Sequence, residues 1–200
     1  MRARSRQVVI AGAGIAGLTA ALAFAARGID VRIVERARRL EEVGAGIQLS
    51  PNATRLLRRL GVLPLLAPVA VSPQALAIRR ARTLRPLATL PLAGVSEARW
   101  GAPYLTVHRA DLQSALLAQV ARNPDIELTM GAAVSDAAFD AQGVTLSLDR
   151  ERRIEEARCD LVVGADGVWS TLRRTAERGR PCRYTGFMAW RAMLRARSAA

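Results

Sequence analysis

Residues 8–26 read VVIAGAGIAGLTAALAFAA, an almost unbroken apolar run behind arginines at positions 2, 4 and 6. As a hydropathy profile this resembles a secretory leader or a short membrane span. Its punctuation argues otherwise. Gly12, Gly14 and Gly17 sit at fixed offsets, and a second strand-like run, Val31-Arg32-Ile33-Val34, follows closely. Neither a leader nor a span needs those features. The pattern predicts a strand over Gln7–Ala11, a tight turn, and a buried helix over Ile15–Arg27 closed by Gly28. Asp30–Glu35 is the next strand, parallel to the first because a helical crossover joins them.

Ser50-Pro51-Asn52-Ala53 predicts another helix start, with serine capping free N–H groups and proline at the first helical position. Leu56, Leu57 and Leu60 are placed on one face of that helix, and Gly61 stops it. Between Val62 and Pro103 the chain turns rich in proline and β-type segments, Ala75–Ile78 and Leu87–Leu92, as an excursion from the first domain. Tyr104–Val107 returns as a strand, followed by a helix over Ala110–Ala121. Ile126–Met130, Ala132–Phe139 and Val144–Leu148 are predicted as strands of a meander, with Gln142-Gly143 turning between the last two. Asp160–Gly164 is a further strand, Ser170–Glu177 a helix, and Tyr184–Leu194 the start of one more strand.

This alternation predicts an α/β protein. Two hundred residues suffice for one core, or for one domain and part of another. The expected division is 1–72 with 104–180 as one domain, and 73–103 with 181–200 as the second. The net charge of +13 comes from 30 arginines without a lysine, which raises the possibility of a nucleic-acid or membrane partner. The arginines, however, occur singly or in pairs such as Arg58-Arg59 and Arg173-Arg174, and only 4% of residues are aromatic, leaving little for base stacking. A coding preference for arginine accounts for the excess, so no nucleic acid and no membrane is expected. Two cysteines, Cys159 and Cys182, and one histidine, His108, supply no metal-ligand spacing and no disulfide framework. No metal is expected, and the cytoplasm is the default compartment.

Three constellations carry chemistry. Gly12-x-Gly14-x-x-Gly17 lies between strand and helix: the first glycine allows the turn, the second lets backbone approach a pyrophosphate, and the third lets helix pack on strand. The helix N-terminus offers N–H groups and partial positive charge to phosphates. Glu35 closes the second strand, where a carboxylate accepts hydrogen bonds from ribose hydroxyls and disfavours a 2′-phosphate. In Gly164-Ala165-Asp166-Gly167, an apolar strand delivers an aspartate into a glycine-flanked turn. Its carboxylate either holds sugar hydroxyls or merely caps the turn. In His108-Arg109-Ala110-Asp111-Leu112, Arg109 stands between strand and helix, able to reach an anion or to form a salt bridge, while His108 reads as structural.

These blocks, with Val43-Gly44-Ala45-Gly46-Ile47-Gln48-Leu49-Ser50-Pro51-Asn52-Ala53 and with Tyr184-Thr185-Gly186 before Trp190-Arg191, stand in an order that resembles the single-component flavoprotein aromatic hydroxylases, specifically the salicylate hydroxylase-like branch. The resemblance spans essentially the whole chain. It implies a Rossmann-like FAD-binding domain with a parallel sheet and β-meander, plus an incomplete β-rich substrate domain. By the same resemblance Gly12, Gly14 and Gly17 hold the FAD pyrophosphate, Glu35 the adenosine ribose, and Arg36 lies beside the adenosine end. Arg109 contacts FAD, and Asp166 serves both FAD and the nicotinamide cofactor. Gln48 falls on the strand running toward the flavin, where some relatives carry a histidine base. Glutamine cannot act as that base, so no catalytic residue is assigned.

The implied activity reduces FAD with NADH or NADPH and then uses O₂, through a flavin C4a-hydroperoxide, to hydroxylate a small phenolic or salicylate-like aromatic substrate. The cofactor carries that chemistry, and the protein supplies position, dryness and charge. Relatives continue past the Trp190-Arg191 strand, so the expectation is a chain truncated at its C-terminus, inactive alone and carrying little FAD. Two alternatives stay open. The chain is an FAD-binding module or split-enzyme subunit needing a separate C-terminal polypeptide, or else an Arg-rich nucleic-acid-binding protein.

Overall fold

Short apolar runs and one alanine-rich helix build a first unit from the described residues of Met1–Glu41 and Leu116–Trp190; those of Glu42–Ala115 form a second. The computed structural model of the chain describes residues 6–40, 45–151, 153–175 and 182–190. In chain order the elements begin with β1 (Gln7–Ala11), α1 (Ile15–Ala25), β2 (Asp30–Glu35), β3 (Gly46–Leu49), α2 (Pro51–Arg59) and α3 (Leu63–Leu66). There follow β4 (Ala75–Arg79), β5 (Pro86–Pro91), α4 (Val95–Trp100), β6 (Leu105–His108) and α5 (Arg109–Val120). The last are β7 (Ile126–Met130), β8 (Ala132–Asp140), β9 (Gly143–Arg150), β10 (Arg153–Cys159), β11 (Leu161–Gly164) and α6 (Leu172–Thr175).

The first unit is an α/β arrangement around a four-stranded sheet of order β11-β1-β2-β7, all pairs parallel. A parallel sheet is covered on both faces, so its strands read as continuous apolar runs rather than alternating ones. Val8 and Ile10 pair with Val31 and Ile33 on one face, and α1 packs on β1, β2 and β7 through Leu18, Ala21, Leu22 and Ala25. On the other face Val9, Ala11 and Val34 join Val144, Leu146 and Leu148 of the antiparallel meander β8-β9-β10 in one buried cluster. The second unit carries two antiparallel ribbons, β3-β6 and β4-β5.

The predicted βαβ unit matches β1, α1 and β2 closely. The meander is displaced by one strand. Ile126–Met130 is not its first member but the parallel partner of β2, with Val31 opposite Ile126, because the helix before it returns the chain to the sheet. The third meander strand is β10, whose sequence RIEEARC carries no apolar alternation and is mostly exposed. Its pairing with β9 defines it, and pattern alone misses it. Ser50 is the N-cap of α2, yet it makes no side-chain cap bond, since its hydroxyl turns to Asn52 Oδ1. Leu57 is buried, whereas Leu56 points to solvent at 42% exposure, so the three leucines do not share one buried face. Leu172–Thr175 supplies the described part of the predicted Ser170–Glu177 helix, and residues 176 and 177 lie outside the described residues. Tyr184–Trp190 forms no strand, having no neighbour in the four sheets to bond with, and 191–194 lie outside the described residues. The short helices α3 and α4 had no signature in the pattern.

The two cysteines differ in environment. Cys159 ends β10 inside the cluster, and burial pushes its thiol up, holding it protonated at neutral pH; Cys182 is exposed. A thiolate, not a thiol, attacks electrophiles. One thiol per chain is therefore expected to react with an aromatic disulfide under native conditions and the second only in denaturant. Two equally fast native thiols would contradict the burial of Cys159.

Candidate functional site

Two backbone turns leave the sheet side by side at the ends of β1 and β11. Gly12 N–H donates to the Val34 carbonyl and Ala165 N–H to the Ala11 carbonyl, each at 2.8 Å. Gly12 has φ +106°, and a Cβ there would collide with the carbonyl of Ala165, whose carbon would lie 2.8 Å away. At Gly17 a Cβ would run into the Gly12 carbonyl oxygen. Both glycines are thus demanded by protein packing on itself. Gly14 is different. Its backbone (φ −71°, ψ 178°) suits any residue, and a Cβ built there meets no heavy atom within 4 Å. Nothing among the described residues requires glycine at this position.

Gly14 lines a cleft of about 260 Å³ together with Gly12, Glu35, Arg36, Asp166 and Trp169. The N-terminus of α1 opens on this turn with Gly14 as its cap, no side-chain cap bond and no acidic residue in the first turn. The positive end of the helix is therefore left uncompensated by that turn. Glu35, half-buried at the end of β2, accepts the Ala13 N–H on Oε2 and the Ala37 N–H on Oε1, both at 2.8 Å. A carboxylate has about four lone-pair sites, so each oxygen keeps capacity for one more donor.

Asp166 Oδ2 accepts the N–H groups of Thr171 (2.7 Å) and Leu172 (3.3 Å), which orders the second turn. Its Oδ1 is buried and has no hydrogen-bond partner among the described residues. A buried polar atom without a partner costs on the order of 1–3 kcal/mol, which marks it as an acceptor awaiting a donor. A larger groove of about 480 Å³ also touches Asp166, lined by Phe139, Val162, Leu172 and Arg173. It contains neither Glu35 nor the first glycine turn, so size alone does not decide between the two, and the smaller cleft has the chemistry.

Gly12, Gly14, Glu35, Arg36 and Asp166 are thus brought to one cleft, with Gly17 supporting the turn. Gln48 and Arg109 belong to the second unit. Gln48 is exposed on β3 opposite Thr106, and its Oε1 accepts the Tyr104 hydroxyl at 2.9 Å. Arg109 opens α5, its backbone N–H reaching the Ala45 carbonyl at 3.4 Å. His108 Nδ1 accepts the Ala110 N–H at 3.3 Å, a local structural contact. The lining residues missed in the sequence are Trp169, which stands inside the Gly164–Arg173 block, and Ala132–Val134, which carry no polar signature. Among the described residues no group of three or more His, Cys, Asp or Glu side chains is placed to hold a metal ion. No helix among them is long and apolar enough to cross a membrane.

Residues 5–193 match the family model described as FAD binding domain. The chain is 39% identical over 191 residues to 3-amino-4-hydroxybenzoate 2-monooxygenase of Streptomyces cremeus, covering 96% of this chain and 47% of the relative. It is 34% identical to 3-hydroxybenzoate 6-hydroxylase 1 of Aquipseudomonas alcaligenes, covering 94% and 47%. Among solved structures it is similar to Klebsiella pneumoniae HpxO complexed with FAD and uric acid, with 29% identity and a TM-score of 0.71 over 85% of this chain and 41% of the other. The chain spans about half the length of the curated relatives it matches.

Proposed function

The chain belongs to the FAD binding domain family, in the group that includes FAD-dependent aromatic monooxygenases, and on that premise we propose that the first unit's cleft holds the adenosine diphosphate half of FAD. The observation that carries this reading is Gly14: a glycine without internal cause, lining a cleft at a helix N-terminus beside Glu35. Backbone that a ligand must approach closely needs glycine, and the open space at its Cβ suits a pyrophosphate. Glu35 takes the ribose hydroxyls on its remaining lone pairs, and its negative charge opposes a 2′-phosphate there. The orphan Asp166 Oδ1 suits a ligand hydroxyl or N–H. Gln48 and Arg109 are proposed as FAD contacts on the family resemblance alone.

Bound there, FAD would supply redox chemistry: with two electrons from NADH or NADPH, one atom of O₂ would be inserted into an aromatic ring and the other would leave as water. For the protein as a whole the proposed activity is therefore hydroxylation of a small phenolic or salicylate-like compound. The β4-β5 ribbon, exposed along both strands, is assigned to the substrate-binding part. The chain's own contribution is to fix the diphosphate on backbone N–H groups and the ribose on a carboxylate already ordered by two N–H bonds. Such a preformed site loses little entropy on binding.

Addition of the chain to FAD is expected to raise flavin fluorescence anisotropy. ADP should compete for this binding, and riboflavin 5′-phosphate should not, because the cleft takes the adenylate half. Competition by riboflavin 5′-phosphate alone, or no anisotropy change, would overturn the reading.

A further inference from the structure

Apart from Glu35, Arg36, Asp166 and Thr171, the described cleft lining is small and aliphatic except at one place. Around the glycine turn it consists of Gly12, Gly14, Ala132, Ala133 and Ala165, and the only aromatic side chain is Trp169. That indole is 74% exposed. Its backbone, in contrast, is held on both sides. Ser170 N–H donates to the Gly167 carbonyl at 3.2 Å, and the Val168 carbonyl accepts from the Arg173 guanidinium at 2.7 Å. Ser170 Oγ in turn accepts the Arg173 N–H at 2.9 Å. A fixed loop thus presents a large, loosely covered aromatic surface at the rim of a ligand cleft. Exposed aromatic surface of this kind gains most when another π-system covers it.

Resting on the adenylate reading of the cleft, we infer that Trp169 is a binding residue for the aromatic base of the bound nucleotide, which stacks on its indole. Base–aromatic stacking needs a π-face and no base-specific hydrogen bonds, so it adds affinity for the base without altering how the phosphates are held. Phenylalanine supplies the same face at smaller area, and alanine supplies none. The guanidinium of Arg36, also in the lining, is the competing stacking partner.

The test titrates the 200-residue chain with two probes, ADP and inorganic pyrophosphate, by calorimetry and by tryptophan fluorescence. For ADP, Trp169→Ala should raise Kd about ten-fold, on the order of 1.4 kcal/mol, and Trp169→Phe by no more than about three-fold. Pyrophosphate should bind all three proteins equally. The ADP-induced fluorescence quench should vanish in Trp169→Phe although the variant still binds, since Trp100 and Trp190 are then the only indoles. Unchanged ADP affinity in Trp169→Ala would overturn the inference and point to Arg36. So would equal losses for ADP and pyrophosphate, which would mean that the variant disturbs the loop. Failure of the unmodified chain to bind ADP would overturn the adenylate reading and this inference with it.

Discussion

Substituting valine for Gly17 is expected to leave the first unit unable to fold, with a loss of on the order of 4 kcal/mol or more. The Cβ would be driven into the carbonyl oxygen of Gly12, a backbone atom that cannot swing aside as a side chain can. Relief requires α1 to lift from β1, which would uncover Leu18, Ala21 and Leu22. Moving Gly12 instead would push its turn against Ala165, because the position of its own Cβ already overlaps that residue. Typical domain stability is about 5–15 kcal/mol, so such a loss consumes most of it at the lower end of that range. Gly28→Ala is the control: Gly28 has φ +71° with nothing within 4 Å of its Cβ position, so only left-handed strain of about 1 kcal/mol is added. Circular dichroism melting should show a cooperative transition for Gly28→Ala and none for Gly17→Val. A Gly17→Val melt within a few degrees of the unmodified chain would contradict the described packing of the two turns.

Gly14→Val is expected to give the opposite outcome, a folded protein that has lost its ligand. The backbone angles at Gly14 are open to any residue, and the added methyl groups enter space that the protein does not fill. The cost to folding is about 1 kcal/mol, chiefly because valine is a poor helix N-cap. The same methyl groups occupy the cleft where a diphosphate would meet the first N–H groups of α1, so ADP and FAD binding should fall by a factor on the order of 100 or more. Calorimetry together with a melting curve separates the two effects. Ligand affinity within a few-fold of the unmodified chain would mean that nothing approaches that backbone.

The difference between Gly14 and Gly17 also shows what the sequence could reveal. The register Gly12-x-Gly14-x-x-Gly17 with Glu35 identified the turn, helix and neighbouring strand because each rests on local geometry and short spacing. That Gly14 faces open space while Gly17 meets the Gly12 carbonyl follows from the same short register, whereas the clash of Gly12 with Ala165, about 150 residues away, is a contact that no local pattern encodes. The strand β10 escaped detection for the same reason, since its polar residues acquire strand conformation only from β9. For Ile126–Met130 the strand type was legible but its partner was not, as register against Val31 is a tertiary property. Sequence left Asp166 open between turn cap and ligand holder. The geometry gives one oxygen to the cap and leaves the other without a partner. Trp169 was visible as a letter, but its exposure at the cleft rim was not.

The account depends most on where a nucleotide diphosphate lands, and an amide-resolved NMR titration of the chain with ADP reports this directly. The account predicts saturable shifts at Ala13, Gly14, Ile15 and Ala16 at the start of α1, and at Ala37, whose N–H rests on Glu35. Shifts confined to the β4-β5 ribbon, or none at all at millimolar ADP, would contradict it.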